Sequence, residues 1–245
     1  MQSSGSSYSY ERSFERLDEL LDTTDTRYTQ RQDLPSRDEL TFSNGFYVRT
    51  TALFVDIRNS SGLPAKYSIP KLAKLYRAFI SEVVAILDGN EYCEEINIVG
   101  DGVWGVFDAR EKPQVDSALD AASEISSLID VLNDKLMRRG YERIFAGIGL
   151  EWGRALMIKS GFYGSGINEV VYMGKVVNDA AKLSSLGEAE TGILTRNPRV
   201  MAGNDFVGNL ESDTYGSFFS FDARLGCYTA SIHSKPMNAW RNSHI

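Results

Sequence analysis

The chain is 245 residues long, with 42% apolar residues, 24% charged residues and a formal net charge of −7. This length supports one well-filled core plus a terminal extension, and the composition is that of an ordinary globular protein. The negative charge argues against general nucleic-acid binding and against binding to an acidic membrane surface.

The sequence carries no membrane or export signal that we recognise. It has no run of about 18 apolar residues, so no transmembrane helix is expected. The N-terminal sequence lacks the basic start and apolar stretch of a secretory signal. Cys93 and Cys227 form neither a disulfide framework nor a zinc motif, so a cytoplasmic protein with reduced thiols is expected.

Residues 1–39 are predicted to be an N-terminal extension. Residues 1–10 are serine-rich and are expected to be disordered. Apolar residues at helical spacing predict a short amphipathic helix over 12–22. The polar remainder is interpreted as a linker, so the compact domain is expected to span 40–245.

The domain opens with a strand and a helix. TTALFVDI, which ends at Ile57, is a nearly continuous apolar run and predicts a central strand buried on both faces. An apolar stripe from Leu72 to Leu87 then predicts a helix of about five turns. Gly89 and its polar neighbours end this helix.

A hairpin of two strands comes next. The runs CEEINIV and VWGVF predict the strands, and Gly100-Asp101-Gly102 between them is typical of a tight turn. Trp104 and Phe107 in the second strand are interpreted as core residues rather than as a platform for stacking.

A long helix opened by Pro113 and a strand over 144–151 complete the pattern. The order β-α-β-β-α-β predicts an α+β fold with the split βαβ, or ferredoxin-like, arrangement. In that topology the first and third strands are antiparallel neighbours, so the end of the first strand lies beside the tip of the hairpin. Asp56 is at that strand end and Asp101 is at that tip, so we expect their carboxylates side by side.

Two converging carboxylates with no histidine or cysteine nearby favour a hard cation such as Mg²⁺ or Mn²⁺. Alone, either aspartate can be an ordinary capping or turn residue, and their joint placement is what favours a metal site. Asn59, Ser60 and Ser61 form a polar turn before the next helix. Backbone amides in such a turn can bind phosphate oxygens.

Four segments resemble, in order, the motifs of the class III nucleotidyl cyclases, the adenylate and guanylate cyclase family. They are LFVDI, INIVGDGVWGVF, AGIGLEWGRA and YMGKVVNDAAKL. The resemblance covers roughly residues 46–237. It implies a ferredoxin-like core with C-terminal β/α additions, and an enzyme, a phosphorus–oxygen lyase, that closes a nucleoside triphosphate onto its own 3′-hydroxyl.

The resemblance also implies a set of site residues. They are Asp56, Asp101 and the Ile57 carbonyl for two divalent ions per site (Mn²⁺ or Mg²⁺), Asn59, Ser60, Ser61 and Lys235 for the phosphates, Asn178 and Lys182 for the transition state, and Asn97 and Val171 for selection of the base. In the family, metal ligands come from one protomer and the transition-state residues from the other. A homodimer with two equivalent sites is therefore implied.

Three positions depart from the family pattern. Lys182 stands where the family has arginine, so it supplies a point charge without the planar fork. Asn97 and Val171 match neither the adenine nor the guanine pattern, which argues against ATP and GTP. An amide both donates and accepts hydrogen bonds, so Asn97 can serve uracil or cytosine.

The segment 34–63 resembles the bacterial pyrimidine cyclases of Pycsar anti-phage systems. This implies conversion of UTP to 3′,5′-cyclic UMP as a second messenger for a separate cyclic-nucleotide-responsive effector protein, with no nucleic-acid or membrane partner. A cytidylate cyclase and an atypical adenylate or guanylate cyclase remain alternatives. So does a degenerate nucleotide-binding module without activity, which the lysine at 182 favours.

Overall fold

The structure, a computed structural model, describes residues 5, 7–163, 166–192, 195–211 and 215–245. The chain divides into two compact units. The smaller unit comprises residues 1–49 and 154–175, and the larger comprises residues 50–153 and 176–245.

The chain contains helices together with pairs of consecutive strands, as expected for an α+β protein. The strands are β1 (Tyr28–Gln30), β2 (Gly45–Ile57), β3 (Cys93–Val99), β4 (Gly102–Asp108), β5 (Ala146–Phe162), β6 (Ile167–Met173), β7 (Val200–Ala202), β8 (Ser220–Asp222) and β9 (Cys227–Ala230). The helices are α1 (Tyr10–Leu21), α2 (Leu63–Lys66), α3 (Ile69–Asp88), α4 (Lys112–Met137), α5 (Lys175–Leu186), α6 (Asn204–Asn209) and α7 (Lys235–His244).

The sheet of the larger unit has the strand order β3-β4-β2-β5-β7-β9-β8. β2 and β4 are antiparallel, in a register that runs from Thr50 opposite Asp108 to Val55 opposite Val103. β3 pairs antiparallel with β4, and β7 pairs parallel with β5. The first four strands in this order form the ferredoxin-like arrangement, so the fold class predicted from the sequence is confirmed.

One face of this sheet packs against α3 and α4. Leu53 and Val55 of β2 lie in one apolar cluster with Phe79 and Val83 of α3 and with Ile125 of α4, and all five side chains are buried. Because side chains alternate along a strand, Phe54 and Asp56 point to the other face of the sheet. The predicted central strand and both long helices are thus present and form the main core.

Helix α5 rests directly on the backbone of β5. A Cβ at Gly149 would lie 2.1 Å from the carbonyl oxygen of Ala180 and 2.3 Å from the amide nitrogen of Ser184. At Gly147 it would lie 2.0 Å from the carbonyl oxygen of Ser184. Only glycine leaves room for this close contact between helix and strand.

The smaller unit contains the start of β2 and the end of β5, each with a partner strand. β1 pairs parallel with Gly45–Tyr47, and Leu156–Phe162 pairs antiparallel with β6. The sequence predicted a linker at Tyr28–Gln30, and there the prediction was wrong. A strand of three residues is too short to show an alternating pattern, and its pairing with β2 is a long-range contact.

Helix α1 begins two residues earlier than predicted, and Ser9 caps it by accepting a hydrogen bond from the Arg12 amide at 3.4 Å. Its apolar side chains are exposed, for example Phe14 at 59% and Leu21 at 80%. The predicted disorder falls partly on residues 1–4 and 6, which lie outside the described residues, and the domain boundary after residue 39 stays a prediction. In the part of the chain that the structure describes, no helix is both long and apolar enough to span a membrane.

The contact between α5 and β5 predicts a large effect of one methyl group. Gly149→Ala places a Cβ inside the backbone of α5, so we expect the free energy of unfolding to fall by about 1–3 kcal/mol. Gly208→Ala in α6 is the matched control, because a Cβ there meets no atom within 4 Å. Urea unfolding followed by circular dichroism measures both. Equal stability of Gly149→Ala and the wild type would contradict the proposed contact.

Candidate functional site

The carboxylates of Asp56 and Asp101 meet at one end of the β2–β4 pair. Val55 pairs with Val103, which places Asp56 beside the hairpin turn that carries Asp101. A Cβ at Gly102 would lie 3.3 Å from Asp56 Oδ1, so the turn passes close to this carboxylate. The Asp101 carboxylate lies close enough to Asp56 to raise its pKa. The juxtaposition predicted from topology is therefore present.

Neither the negative charge nor the hydrogen-bonding capacity of the two carboxylates is fully compensated by neighbouring groups. Burial raises the pKa of Asp56, and the neighbouring Asp101 carboxylate raises it further, while Arg58 opposes the rise. Asp101 Oδ2 is buried and has no hydrogen-bond partner among the described residues. A buried carboxylate oxygen without a donor, next to a second carboxylate, fits a hard divalent cation.

The two aspartates supply only part of a coordination sphere. Among the described residues there is no group of three or more histidine, cysteine, aspartate or glutamate side chains that could hold a metal ion. Mg²⁺ commonly keeps few protein carboxylates and takes its other oxygens from water and substrate phosphates. Isoleucine has no ligating side-chain atom, so Ile57 can offer only its backbone carbonyl, and its side chain is buried in the core.

Arg58 is a site residue that the sequence did not single out. Its Nη2 lies 2.5 Å from Asp56 Oδ2, and its Nη1 donates to the carbonyl oxygen of Ser185 at 2.9 Å. The side chain is only 13% exposed. Arg58 therefore joins the aspartate pair to the C-terminal end of α5.

The polar turn after β2 is short and closed by a backbone hydrogen bond. Asn59 adopts a left-handed conformation (φ 54°, ψ 31°), which asparagine tolerates better than most residues. Ser60–Gly62 then form a short 3₁₀ turn, and the Gly62 amide donates to the Asn59 carbonyl at 3.0 Å. Asn59 and Ser61 are exposed, so a ligand can reach them.

Asn178 and Lys182 lie one turn apart on α5, so they share a face of this helix. Both are exposed. The Lys182 side chain is 77% exposed, and its Nζ lies 3.5 Å from Asp179 Oδ1. The exposed pair is accessible to a second protomer, and the opposite side of α5 is seated on Gly149.

The remaining predicted residues lie on separate elements. Asn97 is half-buried on β3, Val171 is 38% exposed on β6 in the smaller unit, and Lys235 is the exposed first residue of α7. Just before Lys235, the Ser234 amide donates to Ser127 Oγ of α4 at 2.8 Å. The described contacts at the start of α7 therefore run to α4.

An aromatic pair lies on the sheet face that carries Asp56. Phe54 and Trp104 stack with their rings parallel and 4.9 Å apart, and both are half-buried. Trp104 is directly opposite Asn97 on the neighbouring strand. The prediction of a core position was right for Phe107, which is fully buried, and wrong for Trp104. The sequence feature that could have indicated this position of Trp104 is Phe54. It lies two residues before Asp56 and therefore on the same face of the strand.

Comparison with known proteins adds independent information. No protein-family profile matches the chain. A curated uridylate cyclase from Gulbenkiania mobilis is 38% identical over 256 residues, which cover 98% of this chain and 98% of the relative. A uridylate cyclase from Treponema porcinum is 37% identical over 155 residues, which cover 63% of this chain and 54% of that protein.

Solved structures show the same fold. The crystal structure of the adenylyl cyclase CyaB from P. aeruginosa superposes with a TM-score of 0.58 at 19% sequence identity. The superposition covers 68% of this chain and 82% of that one. At this identity the similarity shows the fold alone.

Because an oxygen of Asp101 is buried without a described partner, Asp101→Ala should not lower stability in the absence of metal, but it should remove the stabilisation that metal binding provides. Asp101→Ala removes a buried unpaired group that costs about 1–3 kcal/mol, so without metal the variant is at least as stable as the wild type. Adding Mn²⁺ raises the melting temperature of the wild type but not of the variant. Thermal unfolding with and without Mn²⁺ measures both effects. Asp205→Ala, at an exposed position of α6, is the control. A metal-induced shift in Asp101→Ala equal to the wild-type shift would refute the assignment.

Proposed function

This chain belongs to the class III nucleotidyl cyclases, together with the uridylate cyclases to which it is similar, and we propose that it converts UTP to 3′,5′-cyclic UMP and pyrophosphate. The observation that carries the chemistry is the close approach of the Asp56 and Asp101 carboxylates, with one buried oxygen that has no hydrogen-bond partner among the described residues. The choice of UTP is supported by the name of the Gulbenkiania mobilis relative, which matches nearly the full chain.

In the proposed reaction the 3′-oxygen of the substrate attacks the α-phosphorus. The bond between the α-phosphorus and the bridging oxygen breaks, pyrophosphate leaves, and the 3′-hydroxyl proton passes to solvent. Two bound divalent ions, Mn²⁺ or Mg²⁺, would lower the pKa of the 3′-hydroxyl and neutralise negative charge on the phosphates. Asp56, Asp101 and the Ile57 carbonyl hold them.

Four groups of this chain bind and orient the substrate in the proposal. Backbone amides of Asn59, Ser60 and Ser61 receive phosphate oxygens, and the exposure of Asn59 and Ser61 supports this role. Lys235 adds positive charge for the triphosphate. Asn178 orients the ribose, and Lys182 places its charge at the α-phosphate, where negative charge builds up in the transition state. These roles follow the family pattern of the sequence motifs.

We propose that the complete site forms between two copies of the chain. Asn178 and Lys182 are exposed on α5. In this arrangement each protomer gives its aspartates to one site and its α5 residues to the other, as an isologous dimer requires.

Asn97 and Val171 are proposed to select the base. The Asn97 amide matches a hydrogen-bonding edge of a pyrimidine, and Val171 offers only apolar contact. Trp104, opposite Asn97 in the sheet, provides an aromatic surface beside it. Because an amide can donate or accept, CTP is the alternative substrate.

We further propose that the cyclic nucleotide acts as a second messenger in anti-phage defence, in the cytoplasm, and that a separate effector protein responds to it. The resemblance of residues 34–63 to the pyrimidine cyclases of Pycsar systems supports this role.

The substrate proposal predicts one dominant product. Purified protein incubated with Mn²⁺ and each of the four nucleoside triphosphates should form cyclic UMP from UTP faster than any other cyclic nucleotide. Product identification by mass spectrometry decides the question, and Asp56→Ala is the inactive control. Cyclic CMP as the main product would favour the alternative, and a cyclic purine would refute a pyrimidine substrate.

The composite site predicts rescue between two inactive variants. Asp56→Ala and Asn178→Ala should each be inactive, because each breaks both sites of its own dimer. In a mixed dimer one site carries both defects and the other carries neither. An equimolar mixture that has exchanged subunits should therefore recover about one quarter of wild-type activity. Failure to recover activity, with dimer exchange verified, would contradict the shared site.

A further inference from the structure

Arg58 holds one oxygen of a proposed metal ligand. Its Nη2 lies 2.5 Å from Asp56 Oδ2, and the same nitrogen donates to the Asp56 carbonyl oxygen at 3.3 Å. The other carboxylate oxygen, Oδ1, lies 3.3 Å from the position of a Cβ at Gly102, in the hairpin turn. The two oxygens of this carboxylate therefore face different neighbours. A divalent ion that approaches Oδ2 meets the guanidinium.

The position of Arg58 does not depend on its contact with Asp56. The Arg58 amide donates to the carbonyl oxygen of Phe145, just before β5, at 2.7 Å. Nη1 of the side chain donates to the carbonyl oxygen of Ser185, in the last turn of α5, at 2.9 Å. Neither contact uses an atom of Asp56. Arg58 can therefore release Oδ2 and keep both its backbone position and one anchor for its side chain.

Asp56 is the more accessible partner of this ion pair. Its side chain is 44% exposed, whereas that of Arg58 is 13% exposed. The short aspartate side chain can rotate toward a ligand at the surface, while the guanidinium stays anchored at Ser185. A change of partner at Asp56 therefore breaks one partly exposed ion pair, and such a pair contributes only modestly to stability.

We propose that Arg58 competes with divalent ions for the Asp56 carboxylate and thereby limits metal binding at the aspartate pair. Two effects act in the same direction, because the guanidinium occupies Oδ2 and its charge repels another cation nearby. This inference rests on the proposed metal site at Asp56 and Asp101, but it requires neither UTP nor cyclisation.

The competition has a consequence for the order of binding in the proposed enzyme. Mg²⁺ takes several of its oxygen ligands from substrate phosphates. Metal binding to the protein alone relies on a carboxylate that Arg58 already holds, whereas metal binding with a triphosphate gains the phosphate oxygens as well. Arg58 therefore favours joint binding of metal and substrate over binding of metal alone.

A role of Arg58 in orienting Asp56 for the metal predicts the opposite effect. Groups that orient a metal ligand through hydrogen bonds raise the metal affinity, and their removal typically lowers it by about 10–100-fold. Arg58 differs from a neutral orienting group, because it carries a full positive charge and contacts the carboxylate oxygen itself. We therefore expect repulsion and competition to exceed any gain from orientation.

Mn²⁺ binding in the absence of nucleotide, measured by electron paramagnetic resonance of the free ion, tests the proposal. Arg58→Gln should bind Mn²⁺ about threefold to tenfold more tightly than the wild type. Arg58→Lys retains the charge without the planar fork, so it should show a smaller gain. Adding Asp101→Ala to Arg58→Gln should abolish the gain, which would locate it at the aspartate pair.

Arg224→Gln is the matched control for the loss of charge. Arg224 also pairs with an aspartate two residues away, and its Nη2 lies 3.0 Å from Asp222 Oδ2. The substitution removes the same charge and the same kind of ion pair at a place away from the aspartate pair. It should leave Mn²⁺ binding unchanged.

Thermal unfolding gives a second readout. Without Mn²⁺, Arg58→Gln should melt about 2–4 °C below the wild type, because the neighbouring carboxylates of Asp56 and Asp101 lose a compensating charge. Saturating Mn²⁺ should narrow this difference, since the metal then compensates the carboxylates in both proteins. A purely structural role of Arg58 would leave the difference unchanged.

Equal or weaker Mn²⁺ binding by Arg58→Gln than by the wild type would overturn the proposal, and so would an equal gain in Arg224→Gln. If neither the wild type nor Arg58→Gln binds Mn²⁺, the metal site itself is refuted together with the proposal. Because these measurements involve no nucleotide and no turnover, failure of the cyclase assignment would leave their outcome unchanged.

Discussion

The antiparallel pairing of β2 with β4 brings two carboxylates close together, and the arrangement of the site depends on this constraint. Two neighbouring negative charges repel each other, and burial makes the charged forms still less favourable. Both effects raise the pKa of Asp56. Arg58 compensates for one carboxylate, while an oxygen of Asp101 is buried with no hydrogen-bond partner in the part of the chain that the structure describes. The protein thus keeps an unfavourable local arrangement that a divalent cation would relieve.

Arg58 and α5 connect this pair to the rest of the larger unit. The guanidinium reaches from Asp56 to the Ser185 carbonyl, so the last turn of α5 is tied to the end of β2. Gly149 lets the helix backbone rest on β5 with no side chain between them. The helix is therefore fixed on its inner side, and Asn178 is left exposed on its outer side.

Long elements with strong periodicity could be predicted from the sequence. β2, α3 and α4 bury many apolar residues on one face, so their patterns extend over enough positions to be recognised. Tyr28–Gln30 could not be predicted, because its strand exists only through pairing with β2. Trp104 was misassigned for a related reason. An alternating strand does not reveal which of its two faces the rest of the chain covers.

The sequence by itself determined the order of the elements, the ferredoxin-like topology and, through that topology, the meeting of Asp56 with Asp101. These follow from local periodicity and from the few ways in which a β-α-β-β-α-β chain can form a sheet. Only the tertiary structure decided the partners of Arg58 and the close contact of α5 with β5. Arg58 and Ser185 are 127 residues apart along the chain. No local pattern encodes which side chains converge across such separations, because packing of the whole unit sets their distances.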